Sequence, residues 1–146
     1  MNLPDYVTKE EVKRVCRELG IRDWTELSDG QVPIEESRII QAEIGEEAAQ
    51  ISPEEFRQGL MVELEHGLEY SDANVTNNHP VLTGKIVLAH LKEMLDYYAR
   101  LEVAELEGDM LKAFRRGDTA KLARIYEKLL AARAELCEKE KAAISG

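Results

Sequence analysis

Apolar residues recur every three or four positions along almost the whole chain, and nowhere alternate over a strand-length run. That period belongs to the α-helix, and the missing period of two leaves no place for a sheet. The clearest segment is Leu122, Ile125, Tyr126, Leu129, Ala132, Leu136 and Cys137. The expected fold class is therefore all-α: a small helical bundle with an antiparallel helix pair and a long C-terminal helix. At 146 residues a single domain spanning 1–146 is expected.

Local signals divide the chain. Thr8-Lys9-Glu10-Glu11 is a capping box, followed by Val12, Val15, Cys16 and Leu19 and a terminating Gly20, giving an N-terminal helix over 8–20. Trp24 reads as a core plug over that helix. Ser28 to Pro33 reads as a loop. Ile34 to Ile44 forms a short helix stopped by Gly45. Ser52-Pro53-Glu54-Glu55 combines an N-cap, a proline at the first helical position and an acidic third residue. The helix it opens runs to about Gly67. A polar stretch from Glu69 to Asn78 then reverses the chain, with Asn74, Thr76, Asn77 and Thr83 holding it by side-chain bonds to backbone. Asn78 or His79 caps the next helix, with Pro80 first in it. That helix is expected to continue from Leu82 to at least Leu106, with Gly108 as a break or kink. Gly117-Asp118-Thr119 supplies a turn and cap for the last helix, over 119–140, and the tail from Glu138 frays.

Two segments carry unusual chemistry. Met61 to Gly67 places Glu63 three residues before His66, and Gly84 to Tyr98 places His90 three residues before Glu93. Residues at that spacing share a helix face. At about 100° per residue, with Phe56 at zero, Glu63 falls at about 340°, within the stripe of Phe56, Leu60 and Leu64, and His66 lies beside it. On the second helix His90 and Glu93 fall among Leu82, Ile86, Met94, Tyr97 and Leu101. Four ionisable groups thus occupy positions where the pattern calls for leucine. A lone buried carboxylate would protonate, so four together need a common reason. A bound metal ion supplies one, with Glu63, His66, His90 and Glu93 as the ligands. With no thiolate among them the donors suit iron first, with manganese or zinc as alternatives. Ferritin-like di-iron proteins carry two E-x-x-H pairs; here one pair is inverted. A hemerythrin-like or ferritin-like redox, oxygen or metal-handling role is the leading expectation. The alternative is a non-enzymatic helical interaction module whose Glu/His network is metal-free, Glu63 pairing with His90 and Glu93 with His66.

Net charge is −10, from 19 basic and 29 acidic residues, which argues against nucleic acid and anionic membranes as partners. No apolar run approaches a span, and the N-terminus shows no signal peptide, so a cytoplasmic protein is expected. Cys16 and Cys137 lack metal-type spacing and read as core or boundary residues. A homo-oligomer, simplest as a dimer, would suit a shared site.

The blocks ELEHG, NVTNNHP, TGKIVLAHLKE and DYY, within 52–107, resemble a family of small helical bacterial and archaeal proteins, also met in phage-related genomes. The step Glu11 to Trp24 is similar too. The resemblance implies that Glu63, Glu65, His66, His90, Glu93, Asp96 and Tyr97 lie in that family's signature. It implies no activity, and it leaves Ser28 to Ser52 and the last helix outside.

Overall fold

The computed structural model describes Pro4 and residues 6–145. Part of the N-terminal segment read for a signal peptide therefore lies outside the described residues. Among those described there are seven α-helices, one 3₁₀ turn and no strand. No helix among them is long and apolar enough to cross a membrane. The chain divides into two compact units, residues 1–92 and 93–146.

The first unit begins with α1 (Lys9–Leu19), where Thr8 Oγ1 accepts the Glu11 amide at 3.2 Å and Gly20 closes the helix at φ 68°. The positive φ is what glycine permits there. A 3₁₀ turn, Trp24–Glu26, buries Trp24 completely. α2 (Ile34–Ile44) has the bounds its sequence implies. Its buried face, however, runs through Glu36, Ser37, Ile40 and Gln41, and Ile39 is exposed. Glu36 takes the Trp24 indole N–H on one oxygen and Arg22 Nε on the other at 2.8 Å. Gln41 Nε2 donates to the Ala48 and Ile51 carbonyls at 2.7 and 2.9 Å, closing the short α3 (Glu46–Ala49).

α4 (Pro53–Glu69) starts at Ser52, whose hydroxyl accepts the Glu55 amide, and buries Phe56, Gly59, Leu60 and Leu64. α5 (Pro80–Glu93) meets α2 and α4 at Gly84. A Cβ there would collide with Ile44 Cδ1 and come within 3.0 Å of Ile40 Cγ2 and 3.3 Å of Phe56 Cζ. Only glycine lets the backbones approach this closely. Trp24, Ile40, Phe56, Leu60, Leu64 and Val87 are fully buried.

The second unit is a helical hairpin. α5 stops at Glu93, and a tight turn, closed by the Tyr97 amide on the Met94 carbonyl, precedes α6 (Tyr97–Arg115). The single helix expected from Leu82 to Leu106 is thus two. Met94-Leu95-Asp96 holds neither glycine nor proline, and its one cue is Asp96, which stands at the N-cap of α6 without a side-chain capping bond. Gly108 neither breaks nor bounds α6. Gly117, at φ 67°, turns the chain, and Asp118 Oδ1 accepts the Lys121 amide to start α7 (Thr119–Ser145). The tail is helical to Ser145 rather than frayed from Glu138. Arg133 Nη2 reaches Glu107 at 2.6 Å and Arg100 Nη2 reaches Glu140 at 2.8 Å, pairs that step in opposite directions along antiparallel helices. Ala113, Ile125, Leu129 and Ala132 are buried, whereas Cys137, expected at a core or boundary position, is exposed. One side of the hairpin carries an apolar groove of about 530 Å³, lined at helical spacing by Glu107, Met110, Leu111 and Phe114 and by Thr119, Leu122, Ala123 and Tyr126.

Candidate functional site

Glu63 holds its place in the apolar stripe of α4, between buried Leu60 and Leu64, with its side chain 16 % exposed. From α5, His90 Nδ1 comes to 3.1 Å from Glu63 Oε1. One of the two expected cross-helix pairs is therefore present. His66, one turn beyond Glu63, is half-buried, and its ring centroid lies 6.4 Å from that of Tyr70. Glu63 and His66 both face a pocket of about 390 Å³ whose other walls include Gly67, Tyr70, Asn74, Thr76, Thr83 and Ile86. No pocket was legible in the sequence.

Glu93, the fourth expected ligand, is the last residue of α5 and the first of the second unit, and it is exposed rather than on an apolar face. The helix break after it removes the phasing that grouped it with Met94, Tyr97 and Leu101. Tyr97 opens α6 instead of lying one turn further along the same helix. Among the described residues, no three His, Cys, Asp or Glu side chains stand close enough together to hold a metal ion as they are placed.

The far wall of the pocket is built by the loop between α4 and α5, as its polar residues imply. Asn74 Nδ2 donates to the Gly67 carbonyl at 3.0 Å and to Asn78 Oδ1 at 2.7 Å. Asn74 Oδ1 in turn accepts the Thr76 hydroxyl at 3.1 Å and amide at 3.3 Å. Asn77 and Asn78 both take left-handed backbone, at φ 48° and 58°, which asparagine tolerates better than most residues. Asn77 Nδ2 also donates to the Val7 carbonyl. A Cβ on Gly67 would strike Asn78 Oδ1 and stand 2.9 Å from Asn74 Nδ2, so the glycine of ELEHG is what lets the loop lie on α4.

His79 fixes the start of α5, the helix that delivers His90. Its Nδ1 accepts the Leu82 amide at 3.4 Å, a role open only to an unprotonated nitrogen. Burial holds the imidazole below its ordinary 6.5; the Glu11 carboxylate opposes this and Arg14 adds to it. The unfolded chain thus takes up the proton first on acidification. His79's contribution to stability is complete above about pH 6.5 and is lost as pH falls through the depressed folded value. Urea unfolding at pH 7.5 and pH 5 should therefore show a loss that is smaller in His79→Asn, which caps without titrating. Equal losses in the two proteins would refute this.

No curated protein and no solved structure matches the chain. A family match covers residues 12–107, from within α1 to within α6. It takes in 28–52, a segment the sequence resemblance had left outside, and it stops short of α7. With about two thirds of its length matched, the chain belongs to the family described as Protein of unknown function (DUF5661).

Proposed function

We propose that this protein binds a divalent transition-metal ion at the junction of α4 and α5, through Glu63, His66 and His90, with iron(II) the metal that best suits the donors. The observation that carries this is the meeting of Glu63 Oε1 and His90 Nδ1 at 3.1 Å beside a pocket that His66 also faces. Two ligands about 2.0–2.2 Å from one metal, at tetrahedral or octahedral angles, stand roughly 3.0–3.5 Å apart. Two imidazoles and one carboxylate form the donor set that leaves positions open on non-haem iron. His66 would complete it by a change of rotamer on α4. Glu93 is not needed. Tyr70, Asn74 and Thr76 would then line the space where water or dioxygen meets the metal, in keeping with a redox or oxygen-handling role.

The 3.1 Å contact also favours a second reading, a metal-free polar pair that sets the register of α4 against α5. Metal content separates the two. Protein purified without tag or chelator, loaded anaerobically with iron(II) and desalted, should retain one metal per chain by inductively coupled plasma mass spectrometry. His66→Ala and His90→Ala should retain less than a tenth of that. If wild type holds no metal, or both variants hold as much as wild type, the metal site is wrong. Glu63→Leu combined with His90→Leu should then leave stability near neutral, as a structural pair replaced by apolar groups does.

A further inference from the structure

The loop that walls the pocket is fastened at three points, and one of them titrates. Asn74 ties it to the Gly67 carbonyl on α4, and Asn77 to the Val7 carbonyl ahead of α1. His79 ties it to α5, where its Nδ1 takes the Leu82 amide. Between these points Asn77 and Asn78 stand one after the other in left-handed backbone. Side-chain-bearing residues keep that conformation while their surroundings hold them there, and relax when the hold is lost. Asn78 Oδ1 accepts from Asn74 Nδ2, so a change at 78–79 is passed to the pocket wall.

We propose that this loop is a pH-operated strap, closed while His79 is neutral and released from α5 when the imidazole is protonated, so that Asn74 and Thr76 leave the pocket wall. A proton arriving on Nδ1 ends its role as acceptor. It also puts a positive ring against the positive end of the α5 dipole. The charged groups that face the ring both come from α1: Glu11, which favours an imidazolium, and Arg14, which opposes one. Glu11 is already engaged, one oxygen taken by Arg14 Nε at 2.8 Å and the other by Nη2 at 2.6 Å. The ring is buried, so water does not solvate the added charge where it stands. The charged ring leaves its seat, and the cap of α5 goes with it. The strap rests on the loop's own contacts and stands with or without a metal ion in the pocket.

Amide hydrogen exchange read by NMR on the full chain, corrected for the intrinsic pH dependence of exchange and followed from about pH 7.5 to about pH 4.5, tests this. The His79 ring resonances give its own titration in the same samples. As the ring takes its proton, the Leu82 amide should lose at least about fivefold in protection, the weight of a helix cap. The Thr76 amide and the Asn74 side-chain amide should change along the same curve, while core amides such as Leu64 and Leu129 keep their protection. Glu11→Gln removes the favourable charge and should move the midpoint to lower pH. His79→Asn, which caps without titrating, should hold Leu82 protected throughout. Protection at Leu82 that survives protonation of the ring would overturn the strap, as would the same loss in His79→Asn, or a ring still neutral at the lowest pH. Loss at Leu64 together with Leu82 would mean that the whole unit unfolds, and would overturn it too. Loss at Leu82 while Asn74 and Thr76 stay unchanged would overturn the link to the pocket wall.

Discussion

Replacing Glu36 with alanine is expected to lower the unfolding free energy by about 3 kcal/mol. Glu36 is 6 % exposed and satisfies two donors at once, the Trp24 indole N–H and Arg22 Nε. Truncation leaves the indole donor, on a side chain with no exposure, without an acceptor, at about 1–3 kcal/mol. It also leaves a cavity between the 3₁₀ turn and α2. Breaking a fully buried ion pair costs about 3–5 kcal/mol. The Arg22 side chain is 41 % exposed and already shares the Gln31 carbonyl at 2.7 Å, which places the loss at the low end of that range. Glu36→Gln keeps an acceptor for Trp24 and should cost less than half as much. Trp24 is the sole tryptophan, so its fluorescence during urea unfolding reads the effect directly. An alanine variant whose curve overlays wild type would show that Glu36 does not hold the turn.

Gly67→Ala should destabilise by about 2 kcal/mol, against the trend for glycine in a helix. Alanine inside an exposed helix normally gains about 1 kcal/mol over glycine. Here the added methyl falls on Asn78 Oδ1 and close to Asn74 Nδ2. Those amides cannot swing aside freely, because Asn74 bonds Gly67, Asn78 and Thr76 together. Overpacking of this kind costs about 1–3 kcal/mol, and each hydrogen bond lost adds about 1 kcal/mol. The same displacement opens the wall of the pocket that Glu63 and His66 face. Chemical denaturation decides the matter: an alanine variant more stable than wild type would mean that the loop does not rest on α4 through this contact.

Both substitutions concern residues whose importance is non-local, and that is where the sequence was hard to read. Signals confined to a few neighbouring residues were legible. Thr8, Ser52 and His79 cap the helices that their spacing announces, and α2 ends at Gly45 as expected. Phase counting put Glu63 inside the stripe of α4, and it is there, touching His90. The same counting failed for Glu93, because it assumed one helix through Met94-Leu95-Asp96. Those residues contain neither glycine nor proline, so the counting met no breaker at which to stop. Glu36 and Gln41 were passed over for a related reason. A carboxylate or amide becomes a core residue only when its partners arrive from elsewhere, here from Trp24, Arg22 and the carbonyls of Ala48 and Ile51. On α2 Ile40 is buried and Ile44 reaches Gly84, as their spacing advertised; Glu36 and Gln41 share that side, and Ile39 is left in water.

The bond from Asn77 to the Val7 carbonyl joins positions 70 residues apart. During synthesis, α1 therefore leaves the ribosome long before the loop that fastens its start exists. The first unit also has to wait for Val87, which fills its core from α5. The hairpin needs no such wait, since α6 and α7 are joined by a three-residue turn and their pairing closes outward from it. Contacts that are local in sequence form fastest, and those that span a long loop carry a larger entropic cost of closure. Of the two units the hairpin, made after the other, is therefore expected to take its shape sooner, and α1 to be secured only once the α4–α5 loop and Val87 have followed it.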